Sequence, residues 1–314
     1  VNAAGSIGRT NDEAIDGARC IASALLDRGY CVVRKAVSRH LVDALASDLA
    51  PVFEMTPRSV GSFYGGNTKR FHGLLGRSEQ MPAFVLHDAV LGATKVILEP
   101  HCDIIQLNLT QAIEILPGGL AQPPHRDQEM WPVHSPGVEY LVNVMWPFTP
   151  YRADNGATII WPDSHRRQQE VVISDDEAIA VEMDPGDALL FLGSTLHCGG
   201  VNRTDVPRRG MIISYSLGWL KPYELPWLAY PPEMARTFPP ELAAIAGYRA
   251  HRPNLGTYEG RCPSTALLAD AHKLGAVDEL RPEQEQLIRL YRDNILQPGT
   301  SLATRSGLTR FAHE

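Results

Sequence analysis

The sequence predicts a mainly β protein, a sandwich or barrel core with helices flanking it, and three observations carry that expectation. From about Asp103 to Leu217 the apolar residues fall in short β-branched or alternating runs. Pro, Gly, Asn or Asp separates most of those runs, which is the punctuation of strands joined by turns. Before and after that stretch the apolar residues recur at helical spacing instead.

At the N-terminal end, Thr10 can cap a helix over Asp12–Asp27, with Ile15, Ala18, Cys20, Ile21, Leu25 and Leu26 near one face. Gly29 stops it, and Tyr30–Val33 reads as a short strand. Ser38 caps a second helix, His40–Phe53, with Leu41, Leu45 and Leu49 along one side. Residues 56–80 are rich in Gly, Ser, Asn and Arg and read as a loop, and 84–98 read as a helix. The strand candidates are Asp103–Glu114, Val138–Trp146, Ala157–Trp161, Glu170–Ile173, Ala178–Glu182, Ala188–Leu192 and Gly210–Leu217. The last third is punctuated by Pro and turns helical at Pro240–Tyr248 and Pro282–Ile295. There is no internal repeat and no long low-complexity linker. A single domain over 1–314 is therefore expected, with N-terminal helices over 10–98, a β core over about 103–220 and a helical extension over 223–314.

Composition narrows the function classes. With 44% hydrophobic and 21% charged residues in 314, the chain has an ordinary globular make-up. Its net charge is −7 and its longest basic clusters are the pairs Arg166-Arg167 and Arg208-Arg209, so no nucleic-acid partner is expected. No apolar run approaches the ~18 residues of a membrane span, and no signal peptide is visible. The five cysteines, Cys20, Cys31, Cys102, Cys198 and Cys262, contain no CxxC pair and are odd in number. Reduced thiols and a cytoplasmic location follow as expectations.

The segment that carries chemistry is Gln122-Pro-Pro-His125-Arg-Asp127-Gln128, just after a strand and a Pro117-Gly118-Gly119 turn. Alternate residues of an extended segment point the same way, so His125 and Asp127 can reach one metal. Downstream, the buried run Leu189–Leu192 leads through Gly193-Ser194-Thr195-Leu196 to His197, which a sheet could return beside the first pair. Two histidines and one carboxylate form the facial triad of non-haem Fe(II) oxygenases and leave three positions open. A chelating 2-oxo acid can take two of these and O2 the third. An HxD tripeptide alone is weak evidence; the distal histidine and a later arginine strengthen it. A 2-oxo acid with a second carboxylate needs a buried cation at its far end, and a guanidinium can pair with it through two hydrogen bonds. Arg208 stands at the start of the last strand candidate, and Arg209 should face the other side of the pleat; either could be the clamp.

Further motifs extend the pattern. Asn67-Thr68-Lys69-Arg70 is followed by Gly73-Leu74-Leu75, and Ile115-Leu116-Pro117-Gly118 leads to Gln122 and the HRDQ segment. Asn155-Gly156-Ala157-Thr158 runs on to Trp161-Pro162-Asp163-Ser164-His165; Pro185-Gly186-Asp187 precedes the distal strand; and His197, Asn202 and Arg208 follow in order. In this order and spacing the chain resembles the phytanoyl-CoA dioxygenase family of Fe(II)/2-oxoglutarate oxygenases over about Gly29–Trp219. One departure is Asp163 where that family usually has glycine, a change that turns tolerate.

The resemblance implies a double-stranded β-helix (jelly-roll, cupin-like) core. It implies His125, Asp127 and His197 as iron ligands, Arg208 as the 2-oxoglutarate clamp, and Gln122 and Thr158 as polar contacts to 2-oxoglutarate. The cofactor set is then Fe(II), 2-oxoglutarate and O2, with release of succinate and CO2. HRDQ preceded by Gln122 is similar to the secondary-metabolite members of meroterpenoid and alkaloid type. The substrate expected is thus a lipophilic small molecule, a natural product, oxidised by hydroxylation, desaturation or a related C–H oxidation. Segments flanking the triad supply the candidate substrate contacts: Phe63, Tyr64 and His72, then Met130 and Trp131, then Trp219. The competing readings are a cupin-type metalloenzyme that does not use 2-oxoglutarate and a binding protein without chemistry. The Pro-rich 222–240 stretch could cover the pocket or pair with a second copy as a homodimer.

Overall fold

A computed structural model describes residues 11–133, 135–167, 174–268 and 275–295. They fall into two compact units, 1–247 and 248–314. The first contains α1 (Asn11–Arg28), β1 (Tyr30–Val33), α2 (Arg39–Met55), β2 (Thr68–His72), α3 (Met81–Val85), α4 (Asp88–Leu98) and β3 (Ile105–Ile115). It continues with β4 (Leu141–Pro147), β5 (Thr158–Ile160), β6 (Ile179–Ala180), β7 (Ala188–Leu192), β8 (His197–Gly199) and β9 (Arg208–Leu217). Three short helices follow, α5 (Pro226–Ala229), α6 (Pro232–Ala235) and α7 (Pro240–Ile245). A six-stranded sheet has the order β1-β7-β4-β9-β3-β2, and a three-stranded sheet has the order β6-β5-β8. Every strand pairing is antiparallel.

The period-two alternation of a strand splits the large sheet into two faces. Val142, Val144 and Trp146 of β4, Leu190 and Leu192 of β7, and Met211, Ile213 and Tyr215 of β9 pack in one cluster with Leu25, Leu45, Leu49 and Val90 of the helices. The residues between them, Met145, Leu189, Phe191 and Ile212, pack in a second cluster with Ala157, Ile160, Val181 and Met183 from the side of the small sheet. One face is thus covered by helices and the other by the second sheet, a two-sheet jelly-roll arrangement. Because both faces are buried, β7 reads Ala-Leu-Leu-Phe-Leu with no polar alternation.

The long strand β3 carries a register shift against β9 between Leu107 and Leu109. Ile105 and Leu107 lie in the helix-side cluster, whereas Leu109, Ile113 and Ile115 lie in the other. A one-residue bulge exchanges the faces of every residue beyond it.

Several expectations change in detail. The stretch 56–80 is not all loop: β2 pairs with β3 at the sheet edge, and a 3-10 turn follows at Leu74–Gly76. Its Thr-Lys-Arg-Phe-His sequence is polar because an edge strand has a neighbour on one side only. The helix expected over 84–98 is two, α3 and α4, and His87 caps the second by accepting from Val90 N–H at 3.4 Å. Ser38 caps α2, accepting from Leu41 N–H at 3.2 Å. The strand expected at Glu170–Ile173 and the Thr10 cap lie outside the described residues. The second unit holds a 3-10 turn at Pro263–Leu267 and α8 (Pro282–Ile295). No described helix is long and apolar enough to cross a membrane, and all five cysteines are free thiols.

Candidate functional site

His125 and His197 are brought together by backbone pairing. Each donates its N–H to the other's carbonyl at 3.0 Å, as an isolated antiparallel bridge. Pro123 and Pro124 have no N–H, so the segment cannot pair continuously as a strand. Arg126 is extended, and Asp127 then opens a 3-10 turn, Asp127–Met130. The extended step still sends His125 and Asp127 to one side. Asp127 Oδ1 lies 3.5 Å from His125 Nε2, and its Oδ2 lies 3.5 Å from His197 Nε2. One potential ligand atom from each of the three residues falls within 4.8 Å of the others.

The surrounding hydrogen bonds orient these groups for a metal. The Nδ1 of His125 is 2.8 Å from the Pro123 carbonyl, and the Nδ1 of His197 is 3.0 Å from the Thr195 carbonyl. A carbonyl can only accept, so Nδ1 carries the proton and Nε2 keeps its lone pair toward Asp127. Burial, which outweighs the raising pull of Asp127, holds His197 well below the usual imidazole range, so it is neutral near pH 7. Arg126 donates to the carbonyls of Ser194 at 3.0 Å and Ser164 at 3.1 Å, tying the HxD turn to the loop before β8. Two imidazoles and one carboxylate are a donor set that suits Fe(II) with open positions.

Next to the triad is a cavity of about 100 Å³, room for several water-sized groups, lined among others by Gln122, Thr158 and Arg208. Arg208 is 2% exposed. Its Nε donates to the Gly156 carbonyl at 2.9 Å, its Nη2 reaches the same carbonyl, and its Nη1 donates to the Tyr151 hydroxyl at 3.2 Å. Among the described residues no carboxylate pairs with it. Arg209 faces the other way, with Nε 2.5 Å from Glu114 and Nη2 2.9 Å from Glu54. The Thr158 hydroxyl is buried beside the cavity without a hydrogen-bond partner. Gln122 is anchored by accepting from Gly199 N–H at 3.2 Å. A buried cation without a counter-ion and an unpartnered hydroxyl fit an anionic ligand carboxylate.

Phe63, Tyr64 and Met130 line the cavity; His72, Trp131 and Trp219 do not. The 3-10 turn carries Trp131 past the opening, where its indole donates to the Lys221 carbonyl at 3.0 Å. Trp219 donates to the His101 carbonyl at 3.0 Å and packs edge-on against Tyr140. His72 lies 2.7 Å from the Gln111 amide nitrogen and stacks on Tyr223. Burial and the neighbouring Arg70 lower its pKa, which suits an imidazole that accepts from Gln111.

Sequence reasoning missed Arg70, Asn143 and Tyr223, all of which line the cavity. Arg70 donates to Gln111 Oε1 at 3.0 Å and lies 4.8 Å from the centre of the Tyr64 ring. Burial lowers its pKa to about 10, and its Nε is buried without a partner. The hydroxyls of Tyr64 and Tyr223 share a short hydrogen bond. Arg70 was legible once Thr68–His72 is read as a strand, since alternate residues share a face. Asn143 was the lone amide in the apolar Leu141–Pro147 run. Tyr223, beyond the last strand, had no such signal.

Comparison with known proteins gives a consistent picture. The profile of the family "Phytanoyl-CoA dioxygenase (PhyH)" matches residues 25–210. Dioxygenase FrzG of Cladobotryum sp is 35% identical over 204 residues, covering 60% of this chain and 67% of that protein. The multifunctional dioxygenase ausE of Aspergillus calidoustus is 33% identical over 248 residues, covering 73% of this chain and 83% of its own length. Among solved structures, the non-heme alpha ketoglutarate dependent epimerase SnoN from nogalamycin biosynthesis superposes with a TM-score of 0.54 at 16% identity, over 65% of this chain and 82% of SnoN. HygX from Streptomyces hygroscopicus, with nickel and 2-oxoglutarate bound, superposes with a TM-score of 0.52 at 14% identity, over 66% of this chain and 89% of HygX. These structural likenesses bear on the fold.

Proposed function

Taking as premise that the chain belongs to the phytanoyl-CoA dioxygenase family and is a dioxygenase, we propose that it uses Fe(II), 2-oxoglutarate and O2 to oxidise a lipophilic natural product. The observation that carries this reading is the pairing of the His125, Asp127 and His197 cluster with a buried, uncompensated Arg208 in one cavity. His125, Asp127 and His197 would hold the iron. Arg208 and the unpartnered Thr158 hydroxyl would take the distal carboxylate of 2-oxoglutarate, and Gln122 would border it. That co-substrate has two carboxylates, and Arg70 supplies a second guanidinium in the same cavity. Bound there, Fe(II) and 2-oxoglutarate would supply O2 activation, with O2 as the oxidant and the 2-oxo acid giving up two electrons and leaving as succinate and CO2. The protein's share is placement and exclusion of water.

The small deep cavity suits the co-substrate, so the organic substrate would sit at the mouth. Phe63 and Met130 are 44% and 40% exposed there, and Tyr223 is 45% exposed. This half-open, largely apolar rim favours a lipophilic molecule with few polar groups. Relatives named dioxygenase and multifunctional dioxygenase support the reaction type. Hydroxylation, desaturation or a related C–H oxidation are the outcomes this chemistry allows. Every residue assigned a role falls between Phe63 and Tyr223, and we read the chain as working through one oxygenase domain.

Anaerobic titration with Fe(II) and then 2-oxoglutarate tests the reading. A weak visible charge-transfer band should appear only when both are present, and His125→Ala or Asp127→Ala should abolish it. Bound iron without any band would instead favour a cupin-type enzyme that does not use a 2-oxo acid.

A further inference from the structure

We propose that Asn143 is a positioning residue that restricts Asp127 to one-oxygen ligation and so keeps the metal's remaining positions open. This inference rests on the iron reading above. Asn143 lies on β4, opposite Phe191 of β7 and Ser214 of β9, with its side chain on the cavity face. It is 1% exposed, and the rest of β4 is apolar: Leu141, Val142, Val144, Met145, Trp146 and Pro147. An amide buried in such a strand is costly unless it is hydrogen-bonded. Its Nδ2 donates to Asp127 Oδ2 at 2.9 Å, which accounts for one end. The other end, Oδ1, is buried without a partner.

The orientation of the amide follows from charge. Turned round, Oδ1 would face the Asp127 carboxylate with no hydrogen between two acceptors, so the carboxylate selects the observed direction. Asp127 presents Oδ1 toward His125 and Oδ2 toward His197, each at 3.5 Å from the imidazole Nε2. Without a restraint both oxygens could chelate one metal. Two-oxygen ligation would occupy one more position, leaving too few for a chelating 2-oxo acid and O2 together. The Asn143 N–H engages a lone pair of Oδ2 and leaves Oδ1 as the better ligand. The unpartnered Asn143 Oδ1 is then placed to accept a hydrogen bond from a donor in the cavity.

The test compares wild type with Asn143→Leu, which keeps size and removes both polar atoms. Fe(II) is added anaerobically to each protein, followed by 2-oxoglutarate, and the visible band is recorded. Freed to chelate with both oxygens, Asp127 should hold Fe(II) at least as tightly as in wild type, so iron binding itself is retained. The 2-oxoglutarate concentration for half-maximal band should rise by at least about tenfold, with a shifted band maximum, while the far-ultraviolet circular dichroism of the metal-free protein stays the same. If Asn143→Leu does not fold, Asn143→Val, whose branched side chain suits a strand, is measured in its place. Loss of Fe(II) binding, or an unchanged 2-oxoglutarate requirement with an unchanged band, in a folded variant overturns the proposal. Absence of the band in wild type itself would instead overturn the iron and 2-oxoglutarate reading.

Discussion

Arg208 and Arg209 are adjacent in the chain, and β9 turns them to opposite faces, one into the cavity, where no described carboxylate pairs with it, and one onto Glu114 and Glu54. Arg208→Ala is therefore expected to raise the 2-oxoglutarate needed for half-maximal band by at least about tenfold. Arg209→Ala should leave that requirement nearly unchanged and lower stability instead. It strands Glu114, which is 1% exposed and keeps only Lys69, 3.7 Å away, as a charged neighbour. A loss of about 3–5 kcal/mol is the usual scale for breaking such a pair, measurable by urea denaturation. Glu139 gives a pH-dependent case. Burial raises its pKa to about 7 although the Ser194 hydroxyl donates to it at 2.7 Å. A raised pKa means that the folded state favours the proton. That stabilisation is fully present below the ordinary carboxylate range and is lost as pH rises through about 7. Glu139→Gln, which mimics the protonated form, should match wild type in Tm near pH 4.5 and exceed it by several degrees at pH 8. Of the site, the triad, Arg208, Gln122 and Thr158 were legible because motif order exposes them. Arg70 and Asn143 were not, because their meaning depends on which face of a strand they occupy.

At the scale of elements, β9 links core and site through Gly210. A Cβ there would overlap the Tyr151 hydroxyl and lie 2.7 Å from the Trp146 carbonyl. Tyr151 is the residue whose ring and hydroxyl cover Arg208. Gly210→Ala is thus expected to cost about 1–3 kcal/mol by overpacking, read as a lower Tm. It should also weaken 2-oxoglutarate binding, which Arg209→Ala does not. The strands β7 and β9 and the helix α2 were legible, since long apolar runs and a Ser38 cap signal themselves locally. β2 was not, because Lys69 and Arg70 make it look like a loop until its pairing with β3 is known. The break between α3 and α4 was hidden for a similar reason: His87 acts as a cap only through its geometry. The bulge in β3 leaves no local mark, since Leu107 and Leu109 look equivalent in sequence and face opposite sides in the fold.

For the molecule as a whole, occupancy of the site and stability are one equilibrium. On the proposed reading Fe(II) and 2-oxoglutarate bind the folded chain, so ligand present at about a hundred times its Kd adds about 2.7 kcal/mol. For a chain of this size that corresponds to a Tm increase of roughly 4 °C, and His197→Ala should abolish it. The apolar clusters on the two faces of the large sheet have a further implication. Residues with consecutive numbers in β4, β7 and β9 answer to different demands, one to fit against α1, α2 and α4 and the next to fit whatever the pocket admits. In a library randomised along β4 and β9, tolerance to substitution should rise and fall with every second residue. Selection for a new substrate could then rewrite the pocket-facing positions other than Asn143 and Arg208 while the other set stays unchanged, so the recognition surface can diverge without revising the scaffold that carries it.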